Sequence, residues 1–388
     1  MTSAKTWFQA SRPFSFTVAV VPSLVGSLLT ADQTFSLWKA VLAILGSVFF
    51  LAGTNFVNDF YDHRKGADGP ESLGMAGFIQ RGLLSPKSVL VAGFACFAAG
   101  GGIGIILCLA SGWELFFIGV ASALAGFLYT GWPLHLAYIG LGEIVVFFFM
   151  GPIIVMGASF VQVEEFTWQA FAASLPIAFL VAAILHANNL RDIEVDRKAK
   201  KRTVATVIGR KWANREMYLL LGLTYVALVG AWAVGALPWP ALVALASLPL
   251  VRPIAAIVHA GGNPKKLNLV LYKTAQLHMR FGALMAAGLG LNWLIESLCQ
   301  GRAGGAWLGG GGGRGGGGRG SPPPPGPPLD GPGPPDSRRR GAPGAPPPGG
   351  AGRPPARAGG CPRPAGAPGG GPAVPGVGGD RVSVVGVS

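Results

Sequence analysis

Two clusters of carboxylates and amides stand out in a chain otherwise poor in charge. The first reads Asn55-Phe-Val-Asn58-Asp59-Phe-Tyr-Asp62-His63-Arg64-Lys65-Gly66-Ala-Asp68, and the second Asn188-Asn189-Leu-Arg191-Asp192-Ile-Glu194-Val-Asp196-Arg197-Lys198. At about 100° per residue, Asn55, Asp59 and Asp62 share one helix face, and Asn188, Asp192 and Asp196 span about 80° of another. Glu194 points elsewhere and reads as a solvated loop carboxylate. Each cluster is therefore Asn-x3-Asp followed by a further Asp on the same face. Carboxylates that face one cavity repel unless a cation sits between them. Hard oxygen ligands in small number suit Mg²⁺, which completes its shell with substrate phosphates and water. Arg64, Lys65, Arg191, Lys198, Lys201 and Arg202 stand beside the clusters and suit phosphate oxygens. Helix capping and loop solvation explain one such cluster easily and two matched ones poorly. The expected chemistry is a diphosphate held through Mg²⁺.

The elements that position these residues follow from composition. Of 388 residues, 50% are hydrophobic and only 12% charged, against roughly 25% charged in a soluble domain. The apolar residues gather in nine runs near 14–30, 37–57, 88–110, 112–129, 139–160, 168–188, 216–236, 239–258 and 279–298. Each is close to the roughly 20 residues that cross the hydrocarbon layer. The expectation is an all-α polytopic membrane protein whose first run is a membrane helix rather than a removed signal peptide. The acidic clusters then end the second and sixth helices. These are four helices apart and run in the same direction, as in a tandem repeat of four with a ninth helix added. Lys5, Arg12, Arg64, Lys65, Arg81, Lys87, the cluster from Arg191 to Arg215, Lys265, Lys266 and Lys273 fall on one side, which the positive-inside rule makes cytoplasmic. Of the net charge of +14, the half carried by residues 1–300 is thus loop charge, and the expected partner is a lipid bilayer rather than nucleic acid. Cys96, Cys108, Cys299 and Cys361 show neither metal nor disulfide spacing.

Residues 301–388 are a different polymer, dominated by Gly, Pro, Ala and Arg. They hold too little apolar side chain for a core, and their arginines would lie on the wrong side of the membrane. The chain divides into a transmembrane domain at 1–300 and a tail at 301–388 that is expected to be disordered and dispensable. The tail reads like an unselected frame of GC-rich DNA, as from a frameshift or a mis-called end.

A diphosphate opening into lipid points to an isoprenoid donor. Metal coordination improves diphosphate as a leaving group, and ionisation of the allylic C–O bond leaves a carbocation. Such a cation needs aromatic or apolar walls and exclusion of water. Tyr129, Trp132, Phe147, Phe148 and Phe149 are available, although core packing is the ordinary role of each. His63, His135, His186, His259 and His278 have no ligand spacing, and His186 reads as a packed or hydrogen-bonded histidine.

The stretches NFVNDFYDHRKGAD (55–68), IQRGLLSP (79–86), GFLYTGWPLHLAYIGLGE (126–143), NNLRDIEVDRKAKKRT (188–203) and the residues near 268–277 resemble the UbiA superfamily of intramembrane aromatic prenyltransferases. The likeness covers roughly residues 10–298 and is strongest to the naphthoate-accepting branch. It implies nine helices around a central cavity, with Mg²⁺ bridging the aspartates and a polyprenyl diphosphate. Asn55, Asp59, Asp62, Asn188, Asp192 and Asp196 would form the metal–diphosphate set. Asp59, Asp62, Asp192 and Asp196 would be the metal ligands, with Asp68 a weaker member beyond Gly66. Arg12, Lys65 and Arg202 would contact diphosphate, and Tyr129 would stabilise the cation or place the acceptor. Glu143 suits a helix start, or else positions the acceptor. The implied reaction transfers a polyprenyl group to 1,4-dihydroxy-2-naphthoate with loss of CO₂, giving demethylmenaquinone. A different phenol such as 4-hydroxybenzoate, or a phytyl donor, would keep the same mechanism. A cation-coupled transporter would instead need broken helices with charge near the midplane, whereas these acids sit at helix ends. Lys200 stands where this family usually places Gly.

Overall fold

The computed structural model describes residues 3–66, 77–262 and 264–299, so Asp68, Cys361 and the whole tail at 301–388 lie outside the described residues. Among the described residues every regular element is helical, with one isolated bridge pair between Ile139 and Arg202. The chain runs α1 (Ala4–Ala10), a 3₁₀ turn (Pro13–Phe16), α2 (Thr17–Leu29), α3 (Leu37–Arg64), α4 (Pro86–Ser111) and α5 (Glu114–Leu128). A 3₁₀ turn (Leu136–Tyr138) precedes α6 (Gly142–Phe148), which passes through a π-helical turn (Phe149–Ile153) into α7 (Ile154–Val163). Then come α8 (Trp168–Lys198), α9 (Val204–Ala233), a 3₁₀ stretch (Trp239–Leu250), α10 (Val251–Ala260) and α11 (Pro264–Cys299).

Seven of these segments are long and apolar enough to cross a membrane. An eighth is the pair Ala4–Ala10 and Pro13–Leu29, bent by 50°. The ninth expected span corresponds to α5, which at 15 residues is short for a full crossing. Side chains such as Leu109, Phe117 and Val226 are at least two-thirds exposed. In a membrane they face lipid, whose tails are as apolar as they are. The core lies between α8, α9 and α11, where Ile177, Leu180, Leu190, Met217 and Phe281 are fully buried. Small residues bring the helices together. A Cβ on Gly26 of α2 would fall 2.3 Å from the Val155 carbonyl oxygen of α7, so only glycine permits that approach.

Four boundaries differ from the apolar runs. α3 and α8 continue to Arg64 and Lys198, carrying both acidic clusters as helix rather than loop. α9 starts at Val204, with Thr203 as its N-cap accepting the Thr206 amide at 3.2 Å, and breaks at Gly209 (φ 77°) before the apolar run begins. α11 starts at Pro264, well ahead of its apolar half.

After α8 the chain reverses at Lys200, whose φ of 55° lies in the left-handed region. The reversal is fixed by the Lys201 amide donating to the Asp196 carbonyl at 2.8 Å and the Arg202 amide donating to the Tyr138 carbonyl at 3.1 Å. Lysine adopts this turn at a cost of about 1 kcal/mol that glycine would not incur. Since the Lys200 side chain is exposed, Lys200→Gly is expected to raise unfolding stability by about 1 kcal/mol in detergent. A lowered melting temperature would contradict this account of the turn.

Candidate active site

α3 and α8 outlast their apolar stretches, and their polar ends meet at a cavity of about 280 Å³. Arg12, Asn55, Asn58, Asp62, Tyr129, Glu143, Asn188 and Lys201 line it, together with Phe14, Phe50, Phe149, Met150 and Val181. Charged groups and apolar wall thus share one chamber.

The first cluster is clamped to the elbow that precedes α2. Arg12 occupies the left-handed region (φ 59°) and forms an ion pair with Asp59. The Asn55 side-chain amide donates to the Ser11 carbonyl at 3.0 Å and to Ser15 Oγ at 3.1 Å. Asp62 Oδ1 accepts from the Tyr138 hydroxyl at 2.7 Å, and Asn58 Oδ1 from the Thr130 hydroxyl at 2.7 Å. The second cluster is organised by Arg191, only 4% exposed. Its guanidinium grips both oxygens of Asp192, at 2.7 and 2.5 Å, and also donates to Asn188 at 2.8 Å and Asn268 of α11 at 2.7 Å. Asp196 Oδ1 lies 3.5 Å from Lys201 Nζ. Its other oxygen, Oδ2, is buried with no hydrogen-bond partner among the described residues.

Tyr138 joins the two halves. Lys65 Nζ lies 3.8 Å from its ring centroid and Lys201 Nζ 5.6 Å from it. Burial pushes the Lys65 ammonium below its ordinary value, with Asp62 resisting and Lys201 adding to the fall. For Lys201 burial acts the same way, but Asp196, Asp62 and Asp192 outweigh it and hold that ammonium above its ordinary value. One cation therefore feels carboxylates from both clusters, which are more than a hundred residues apart in sequence.

Of the residues expected from sequence, Arg12, Asn55, Asp62, Asn188 and Tyr129 line the cavity, and Asp59, Asp192, Asp196 and Lys65 stand behind the lining, held through Arg12, Arg191, Lys201 and Tyr138. Arg202 differs. It is exposed and its backbone pairs with Tyr138, so the cavity-lining cation of that loop is Lys201. Among the aromatics Phe149 joins Tyr129 in the wall, whereas Trp132 is 72% exposed and Phe147 packs edge-on against Phe179. Glu194 is exposed and pairs with Arg197. Tyr138 carries no periodic signal, because it sits in an irregular turn, and the spacing of the clusters gives no hint of it.

A second polar group also escapes sequence spacing. Glu143, at the start of α6, accepts at Oε1 from the Asn189 amide at 3.0 Å and lies 3.1 Å from His186 Nδ1. His186 is fully buried, with Nε2 2.8 Å from the Ala213 carbonyl. Glu216 of α9 brings its Oε2 to 3.5 Å from the same Nδ1.

Comparison with known proteins places the chain in a family. The pattern of the UbiA prenyltransferase family matches residues 19–277. The 1,4-dihydroxy-2-naphthoate octaprenyltransferase of Bacillus subtilis strain 168 is 34% identical over 290 residues, covering 74% of this chain and 92% of that protein. The 2-carboxy-1,4-naphthoquinone phytyltransferase of a Synechocystis species is 30% identical over 297 residues, covering 74% and 93%. A solved UbiA homologue from Archaeoglobus fulgidus bound to GPP and Mg²⁺ superimposes with a TM-score of 0.55 at 19% identity, covering 74% of this chain and 99% of that one.

Lys201 balances carboxylates that would otherwise be buried unpaired, and removing one partner of such a pair costs on the order of 3 kcal/mol. Lys201→Met is therefore expected to lower the melting temperature, and millimolar Mg²⁺ to restore more stability to this variant than it adds to the wild type. Equal Mg²⁺ responses in both proteins would count against the charge balance described.

Proposed function

Because the chain belongs to the UbiA prenyltransferase family, we propose that its cavity joins a polyprenyl diphosphate to 1,4-dihydroxy-2-naphthoate with loss of CO₂, making demethylmenaquinone. The chain is an integral membrane protein. The observation that carries the reading is the convergence of two acidic helix ends and several bases on a chamber with an apolar wall. The naphthoate acceptor is supported by the names of the relatives that cover most of this chain.

The donor set fits Mg²⁺. Asp59, Asp62, Asp192 and Asp196 offer hard oxygens, and the buried Oδ2 of Asp196, without a hydrogen-bond partner among the described residues, is an acceptor that a cation would satisfy. These four would hold the metal, which when bound would neutralise diphosphate oxygens and ease departure of the leaving group. The remaining work falls to side chains. Arg12, Lys65 and Lys201 supply positive charge for phosphate oxygens. Arg191 fixes the carboxylate plane of Asp192 and the amide of Asn188 at once. Asn55 holds the elbow that delivers Arg12. Phe50, Phe149 and Val181 exclude water from the allylic cation, and Tyr129 offers an electron-rich ring beside them. The loops bearing Lys65 and Lys201 would face the cytoplasm of the cell membrane, where the positive-inside rule puts them. Residues 1–300 would form the whole catalytic domain.

Membranes containing the chain, given 1,4-dihydroxy-2-naphthoate, 4-hydroxybenzoate and a set of prenyl diphosphates, should yield the prenylated, decarboxylated naphthoquinol by mass. Chelation of Mg²⁺ should abolish product, and Asp59→Ala or Asp192→Ala should lower turnover by about a hundredfold or more. Full activity in either variant would remove the site assignment, and product from 4-hydroxybenzoate alone would change the acceptor. Truncation after Gln300 should leave activity intact.

A further inference from the structure

The carboxylates of the two clusters all serve the diphosphate end of the reaction. Glu143 lines the same cavity yet belongs to neither cluster, and its surroundings are built for a proton. The Ala213 carbonyl can only accept, so His186 Nε2 carries a hydrogen and donates it there at 2.8 Å. The contact of 3.1 Å between His186 Nδ1 and Glu143 Oε1 then requires one proton between them, because two bare acceptors would repel. The Asn189 amide donates to the same Oε1 at 3.0 Å. Both hydrogen bonds land on one oxygen, which leaves Glu143 Oε2 to a ligand.

Glu216 adds the remaining charge. Its Oε2 is buried, has no hydrogen-bond partner among the described residues, and lies 3.5 Å from His186 Nδ1. With a single proton between Nδ1 and Oε1, the three groups carry one net negative charge; with a second proton they carry none. A buried charge is costly, so the cluster as a whole can take up one further proton, and of its three members Glu143 is the one that lines the cavity.

We infer that Glu143 accepts the hydroxyl proton of the aromatic acceptor, with His186 and Glu216 as positioning residues that hold it in the proton-accepting state. The inference rests on the prenyl-transfer reading above. The O–H electron pair stays on the acceptor oxygen as its proton moves to Glu143. The ring carbon that bears the carboxylate gains electron density and bonds to the allylic carbon, while the C–O pair departs with diphosphate. Loss of CO₂ returns the C–C pair to the ring, and Glu143 gives the proton back to the oxygen. Protons and electrons balance without another reactant.

The test compares 1,4-dihydroxy-2-naphthoate with ring-fluorinated analogues whose hydroxyls are more acidic and need less help to ionise. Glu143→Gln keeps the side-chain volume and should bind prenyl diphosphate with Mg²⁺ as the wild type does, which controls for folding. With the parent acceptor its kcat should fall by about a hundredfold or more, the usual scale for a lost general base. The wild-type to variant ratio should shrink at least about tenfold with the most acidic analogue. His186→Gln should show the same trend in kcat, with KM little changed. A loss of the same size for every acceptor, or no loss at all, would overturn the proton role. Stoichiometric zinc in the purified wild type that His186→Gln loses would also overturn it, since the same three side chains could hold a metal. If the wild type prenylates none of these acceptors, it is the prenyl-transfer reading that fails.

Discussion

Carboxylates at the edge of a low-dielectric chamber keep their charge only if something elsewhere in the chain meets them. The site depends on this constraint. Each of the four motif aspartates is met by a different residue: Asp59 by Arg12, Asp62 by Tyr138, Asp192 by Arg191 and Asp196 by Lys201. Three of the partners come from outside the two acidic helices. The fold's irregular features are where they are delivered. The left-handed residue Arg12 turns the chain at the elbow, and the left-handed Lys200 reverses it so that Lys201 can return to the cavity. The Ile139–Arg202 bridge ties that reversal to the turn carrying Tyr138.

The same requirement divides the chamber. Positive and negative groups crowd one end, while Phe50, Phe149, Met150 and Val181 form an apolar wall. Diphosphate needs the first environment and an allylic cation the second, and chemistry between them works only if water stays out. Close helix approaches such as Gly26 against Val155 hold α2 against α7. The Glu143, His186 and Glu216 group adds a third environment, in which His186 and Asn189 both reach one oxygen of Glu143 while Glu216 Oε2 is buried without a hydrogen-bond partner among the described residues. Charge, hydrocarbon and proton are thus handled by separate parts of one small space.

Much of this was legible in the residues alone. The nine apolar runs anticipate the helices in order, with α5 at the short end, because burying backbone in lipid forces helix formation over such lengths. The 3.6-residue period put Asn55, Asp59 and Asp62 on one face, and Asn188, Asp192 and Asp196 on another, before any packing was known. Other features were not legible. Tyr138 sits in a 3₁₀ turn where no periodicity applies. Arg202 and Lys201 are neighbours of equal charge, and only the sense of the Lys200 turn decides which one lines the cavity. His186 looked like an ordinary buried histidine, and its hydrogen bonds do make it one; what spacing could not reveal is that its partner opens onto the site.

The sequence by itself determined the class of molecule, the order of its membrane helices and the residue types suited to a diphosphate. Those follow from local rules: hydrophobic length, helical period and the affinity of hard oxygens for a hard cation. Only the tertiary structure decided which cation stands opposite which carboxylate, and that Glu143, His186 and Glu216 form one group. Arg12 and Asp59 are 47 positions apart and Glu143 and His186 are 43 apart, and such distances close only when whole helices pack. The two acidic clusters were visible as chemistry from the start, but their meeting at Lys201 is a product of the fold.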